Sequence, residues 1–206
     1  MRRLVNRIAF ALWLVVGLCG SVFAAQARVD AYYGGVKFDS AVSLEGFHRA
    51  SSGGMDAAGL SFCGPAIGFN LQPVVGFDYF WNRFGSDFYM DEDTSILSFG
   101  INRSFKVEDA AIVVSGSLAH VRDTYHITLD ADYMANHRFD SWGLLAGVEI
   151  RTKFAGPVGL RMVYRILVRK QPEAKPFQAG SGTYRLQTRG VDHLLAAGIS
   201  VRIGGV

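Results

Sequence analysis

The sequence predicts an all-β protein, an eight-stranded antiparallel up-and-down transmembrane barrel. Three observations carry this. Eight stretches alternate apolar and polar residues with period two, and no apolar run after the N-terminal segment reaches the ~18 residues a membrane helix needs. The connections between the stretches alternate long and short, as in barrels with short turns at one end and longer loops at the other. The first 27 residues, MRRLVNRIAFALWLVVGLCGSVFAAQA, read as an export signal.

The signal has three parts. Arg2, Arg3 and Arg7 form a positive start, Ile8–Leu18 an apolar run, and Ala25-Gln26-Ala27 a small-residue cleavage site, with Val22-Phe23-Ala24 as the alternative. Leu18 precedes Cys19 where lipoprotein sites want a small residue, so lipidation is not expected. The domain reading is therefore residues 1–27 as signal peptide and 28–206 as barrel. The charge balance changes with it. The whole chain has 21 Lys and Arg against 18 Asp and Glu, hence +3. Residues 1–27 carry three of the arginines and no acid, so the remainder has 18 of each. Nothing global points to nucleic acid, which is not expected as a partner. Cys63 is the one cysteine left after cleavage, which rules out an intramolecular disulfide.

Strand one falls near Val29–Asp39, with Tyr32, Gly34, Val36 and Phe38 on one face. A polar, Gly- and Ser-rich stretch follows over Ser40–Ala58. Strand two is expected near Gly59–Asn70, interrupted by Pro65, with Ile67, Phe69 and Leu71 on one face and a tight turn at Asn70-Leu71-Gln72-Pro73. Strand three is the clearest: Val75, Phe77, Tyr79 and Trp81 alternate with Gly76, Asp78, Phe80 and Asn82. After an acidic loop over Gly85–Thr94, strand four carries Leu97, Phe99 and Ile101. A short connection at Lys106–Asp109 leads to strand five, with Ile112, Val114, Gly116 and Leu118. A loop is expected over Arg122–His137. Strand six places Trp142, Leu144, Ala146, Val148 and Ile150 together, and Ala155-Gly156-Pro157 turns the chain. Strand seven aligns Val158, Leu160, Met162, Tyr164, Ile166 and Val168 opposite Arg161, Arg165 and Arg169. After a loop over Lys170–Thr183, strand eight runs from about Tyr184 to Ile203 and slips register near Gly190.

Alternation alone does not say which face points outward. The polar faces combine small residues with Asp78, Glu149, Arg151, Arg161, Arg165 and Arg169. An eight-stranded barrel has room only for side chains inside, and opposite charges buried there can pair. The apolar faces place Tyr32, Phe77, Tyr79, Trp81, Trp142 and Tyr164 where lipid-facing aromatic anchors belong. Apolar-out follows, with the charged residues as a lumen network. The arginine row reads as a structural ion-pair network in preference to an anion-selective pore or a contact for lipopolysaccharide phosphates.

On this topology, and on stretches such as PVVGFDYFWNRFG, the chain resembles the small outer-membrane β-barrel superfamily, the opacity-like and OmpA/OmpX-like eight-stranded barrels. The resemblance covers the whole chain after the signal. It implies location in the outer membrane with both barrel termini periplasmic, partners in outer-membrane lipid or lipopolysaccharide and the assembly machinery, and an external ligand or host surface met by the loops. The final residue, Val206, departs from the aromatic with which such chains usually end.

No cofactor, metal or catalytic site is expected. His48, His120, His126, His137 and His193 are dispersed, and Asp123, Asp130 and Asp132 with His126 and His137 read as an ordinary solvated loop. Outer-membrane lipid A deacylases set a His and a Ser two residues apart. Here His126-Ile127-Thr128 has the spacing with Thr for Ser and no evident acidic orienter, so an enzyme is the weaker reading. The function expected is structural, surface-contact or adhesive through the loops. The other classes are a narrow pore and a soluble periplasmic ligand-binding barrel, which would have its apolar face inside.

Overall fold

The computed structural model describes residues 27–44, 47–85, 89–130, 133–170, 175–179, 182–186 and 190–203. The segment read as an export signal lies outside these except for Ala27, and so does the C-terminal stretch 204–206. The strands are β1 (Ala27–Leu44), β2 (Phe47–Cys63), β3 (Leu71–Gly85), β4 (Tyr89–Val107), β5 (Ala110–Asp130), β6 (Tyr133–Ala155), β7 (Val158–Arg169), β8 (Lys175–Ala179), β9 (Gly182–Leu186) and β10 (Val191–Ile203). Each of β1 to β7 pairs antiparallel with the next in the chain, β7 pairs with β10, and β10 returns to β1. Eight strands thus close a barrel without a free edge. Strands β8 and β9 form a separate small hairpin joined to the top of β1 by the pair Leu44 and Tyr184.

The register fixes the barrel's geometry. From Tyr33, the pairs through Ala58, Tyr79 and Ser95 arrive at Arg122 on β5. Going the other way, through Ala197, Met162 and Ile150, they arrive at Ile112. The two arrivals are ten residues apart on one strand, which is the stagger of the closed sheet. For eight strands it corresponds to a tilt of about 40–45°.

The wall is apolar outside. Leu97, Phe99, Ile101, Ile112, Val114, Leu118, Leu144, Val148, Ile150, Leu160, Met162, Val168, Leu195 and Ile199 are all exposed, while the residues between them are mostly buried. Along β7 the alternation is regular from Leu160 to Arg169. This is the apolar-out arrangement, and a barrel with its apolar face inside does not describe the chain.

Several sequence boundaries move. The stretches expected as loops at Ser40–Ala58, Gly85–Thr94 and Arg122–His137 are largely strand. Strands β5 and β6 have 21 and 23 residues, about twice the 9–11 that cross a bilayer. The excess forms hairpins standing above the apolar belt. There the outward residues Arg122, Thr124, Arg138 and Asp140 are polar as well, so the polar–apolar contrast that marks a strand is lost. Strand β2 ends at Cys63 instead of Asn70, and the turn is Gly64–Asn70, with positive φ at Phe69 and Asn70. Leu71 and Pro73 belong to β3, where Pro73 stands opposite Ile101. Tyr184 belongs to the β8–β9 hairpin, and the barrel's last strand begins at Val191.

Candidate functional site: the lumen and the outer rim

Inward-facing residues fill the lumen in three layers. In the lower one, Glu149 of β6 meets three arginines. Arg151 donates from Nε and Nη2 to its Oε2 at 3.0 and 2.7 Å, Arg161 donates from Nη2 to Oε1, and Arg165 reaches Oε1 at 3.4 Å. Arg165 also donates to both oxygens of Asp78, at 3.1 and 3.2 Å. Asp30 of β1 accepts from Arg151 at 3.0 Å and faces Arg161 at 3.4 Å. Arg151, Arg161 and Arg165 are balanced by Asp30, Asp78 and Glu149, all buried. Such balance is what a low-dielectric interior requires, since an unpaired charge there is strongly destabilising.

The middle layer is apolar: Phe80, Ile96, Val121, Leu145, Leu167 and Leu194, with Ala57, Ala119 and Ala196 among them. The inward series of each strand shows the change. On β7 Leu167 separates Arg165 from Arg169, on β5 Val121 and Ala119 separate Asp123 from Ser117, and on β3 Phe80 follows Asp78. The upper layer is polar again. Arg169 donates to Asp123 at 2.6 Å and faces Asp192 at 3.4 Å, Thr94 donates to Asp123 at 2.8 Å, and Tyr125 donates to Glu92 at 3.0 Å.

A cavity of about 20 Å³ lies in the lower lumen, lined by Ser61, Ser98, Asn102, Ser115, Ser117 and Arg151 among others. Asn102 Oδ1 and Arg151 Nη1 have no protein partner. Its size and polarity suit one or two ordered waters.

The structure brings the six charged residues singled out in the sequence inward. Arg169 alone stands apart, in the upper layer. The acids Asp30, Asp123 and Asp192 were not singled out as lumen partners in the sequence. Asp123, expected in a loop, is an inward residue of β5. Asp30 shares parity with Tyr32 and Gly34 in β1, and an acid at that parity was the available signal for the inward face.

Among the aromatic anchors, Phe77, Tyr79, Trp81, Trp142 and Tyr164 face outward. Tyr79 stacks on Trp81 at 5.8 Å between ring centroids, and Trp142 is 57% exposed. Tyr32 is a correction: it points inward and is 5% exposed. Its hydroxyl donates to Asp78 at 2.6 Å, and Arg165 lies over its ring at 5.2 Å. Register decides this. Tyr32 stands between Gly59 and Gly198, and a Cβ on either would come within 3 Å of it. The neighbour Tyr33, 60% exposed, takes the outward place.

Above Trp142 the outer wall carries charge. Arg122 and Arg138 both donate from Nε to Asp140, at 2.8 and 3.2 Å. His120 meets Trp142 edge to face at 5.0 Å. Slight burial raises the affinity of Asp140 for a proton, but the hydrogen bonds and charges of Arg122 and then Arg138 outweigh it and hold the carboxyl below its ordinary range. Higher on the same strands, His126 bonds Asn136 through Nδ1. His126 and His137, expected in a solvated loop, occupy opposite faces of the wall. Asp132 lies outside the described residues.

No protein-family profile and no curated protein matches the chain in sequence. Solved structures do match in shape. The outer-membrane protein OprG from Pseudomonas aeruginosa has a TM-score of 0.61 at 10% identity, covering 89% of this chain and 98% of that one. A major outer-membrane protein from Thermus thermophilus has 0.59 at 12% identity, covering 86% and 99%. Neisserial surface protein A has 0.54 at 13% identity, covering 86% and 96%. At these identities the likeness speaks for the fold: this chain has the fold of the small eight-stranded outer-membrane β-barrels.

Proposed function

We propose that the chain is an integral outer-membrane protein whose barrel is a closed anchor and whose role, structural or in surface contact and adhesion, is performed by the outer rim and the hairpins above it. The observation that carries this is the filled lumen. Among the described residues, two ion-paired layers with an apolar layer between them occupy the lumen, which leaves the wall and the projecting strands as the surfaces for contact. The exposed apolar wall is the chemistry of a lipid-embedded barrel, because backbone groups in lipid must pair and closure leaves no edge. Both barrel ends at Ala27 and Ile203 then lie on the side of the short turns, the periplasmic side in such barrels. Outer-membrane lipid, lipopolysaccharide and the assembly machinery are the partners this placement implies, and an external ligand or host surface is the partner of the hairpins. The proposal gives the protein no catalytic step.

Cell fractionation with heat-modifiability on a denaturing gel tests the reading. The expected result is outer-membrane location, a faster-migrating unboiled band, and protease access from outside at the β5–β6 turn. A soluble periplasmic protein without a band shift would overturn it.

A further inference from the structure

We propose that the small polar cavity of the lower lumen is a binding site for a monatomic anion of the halide class, held by Arg151 with Asn102, Ser98 and Ser115 around it. The site depends on the folded barrel alone and goes beyond the role proposed for the rim.

Charge is the first argument. Among the described residues, the lower lumen sets Arg28, Arg151, Arg161 and Arg165 against Asp30, Asp78 and Glu149, four positive groups against three negative. Arg28, the least buried of the four, is shared between Asp30 and Gln72. The Cys63 thiol adds no charge, since it donates to Asp30 Oδ2 at 3.5 Å. Arg202, opposite Arg28 in register, and Lys106 stand at inward positions of β10 and β4 and are exposed at the lower mouth. The acids at that end, Glu108 and Asp109, are exposed in the turn between β4 and β5. The lower lumen therefore carries one positive charge in excess, and a low-dielectric interior favours a monovalent anion beside it.

Unmet donors are the second. Arg151 lines the cavity with its side chain 9% exposed. Its Nε and Nη2 are taken by Glu149 and Asp30, while Nη1 is buried without a protein partner. A guanidinium donor withdrawn from water and left unpaired is destabilising. Ser98 and Ser115, also on the cavity wall, donate to the carbonyls of Gly76 and Gly147 at 3.4 Å. Those bonds are long for a hydroxyl, so both protons are free to turn towards an ion. Asn102 Nδ2 donates to Cys63 Sγ at 3.4 Å and its Oδ1 has no protein partner. The reversed amide puts Nδ2 where Oδ1 stands. The lining carboxylate, Glu149, has both oxygens engaged by arginines, which leaves donors as the uncommitted groups.

Size is the third. The cavity's volume of about 20 Å³ is that of one or two waters. It suits a monatomic ion and excludes an organic anion. Ile96, Leu167 and Leu194 of the apolar layer lie above, so the ion is bound and not conducted.

The test reads the thermal midpoint of the folded band for the full chain in a zwitterionic detergent. Potassium gluconate is compared with potassium chloride and potassium bromide at equal ionic strength, which holds screening constant. The expected result is a saturable rise of roughly 3–5 °C with either halide. Asn102→Asp supplies the missing negative charge inside the cavity, so its midpoint in gluconate equals or exceeds that of the wild type and the halide rise is lost. Arg122→Gln, on the outer wall, keeps the rise. Crystals of the wild-type chain grown in bromide show an anomalous peak beside Arg151, which decides the matter even where Asn102→Asp fails to fold. Equal midpoints in gluconate and halide, a rise that survives in Asn102→Asp, or a cavity holding only water in the bromide crystals would overturn the inference.

Discussion

Arginine pairs with carboxylate in two places, and the surroundings make them different devices. Inside the lower lumen, Glu149 serves Arg151, Arg161 and Arg165, and every member is almost fully withdrawn from water. On the outer rim, Asp140 serves Arg122 and Arg138 with side chains 42–53% exposed. The inner group sets three buried arginines against three buried carboxylates, with part-exposed Arg28 beside Asp30 at 3.1 Å, and loss of one buried member leaves another uncompensated. The outer group is solvated and screened, so its pairs add little to stability. The same chemistry holds the fold where it is buried and contributes weakly where it is exposed.

The largest effect is expected from Glu149→Gln, which strips three buried guanidiniums of their shared carboxylate. Loss of one member of a buried ion pair costs about 3–5 kcal/mol, read as the urea midpoint of the folded band. Next, Gly59→Ala places a Cβ 2.4 Å from the Tyr32 ring and from Asp78 Oδ1, and overpacking there costs about 1–3 kcal/mol. Its outward counterpart Gly116→Ala meets nothing within 4 Å and should change stability by no more than about 0.5 kcal/mol. If Gly59→Ala and Gly116→Ala behave alike in thermal unfolding, the inward packing assigned to Tyr32 is wrong. Removal of the Tyr32 hydroxyl by Tyr32→Phe leaves Asp78 to Arg165 alone and costs about 1–2 kcal/mol.

The smallest effects belong to the rim. Arg122→Gln costs less than about 1 kcal/mol. The rim also sets a sign for pH. Because the Asp140 carboxyl is held below its ordinary range in the folded chain, its contribution is fully present above that range and is lost as acid protonates it. Unfolding of wild type and Asp140→Asn should therefore differ slightly at neutral pH and converge in acid. Divergence on acidification would contradict the pairing.

Much of this was legible in the sequence where one face meets an apolar environment and the other does not. Trp142, Leu144, Ala146, Val148 and Ile150 alternate with small or charged residues, and β6 follows them. Arg161, Arg165 and Arg169 announced the inward face of β7 in the same way. Legibility failed where that contrast disappears. Tyr32 and Tyr33 are adjacent and alike, so only pairing with Gly59 and Gly198 chooses between them. The upper parts of β5 and β6 carry Arg122, Thr124, His126, Arg138 and Asp140 on the outward face and read as loop, although Tyr125 and Phe139 pack together on the inward face. The acids Asp123 and Asp192 were hidden because their partner Arg169 lies far along the chain, and closure of the barrel brings them together. At the Gly64–Asn70 turn, Pro65 and Pro73 suggest a break, but its position depends on the positive φ of Phe69 and Asn70, which Asn favours and Phe does not advertise.

The central claim, a barrel sealed by its own side chains, is tested most directly by ion conductance of the purified chain in a planar bilayer. The account predicts a current indistinguishable from the bare bilayer once insertion is verified by heat-modifiability. Stable, stepwise currents from the wild-type chain would mean that the lumen layers do not seal it, and would contradict the account.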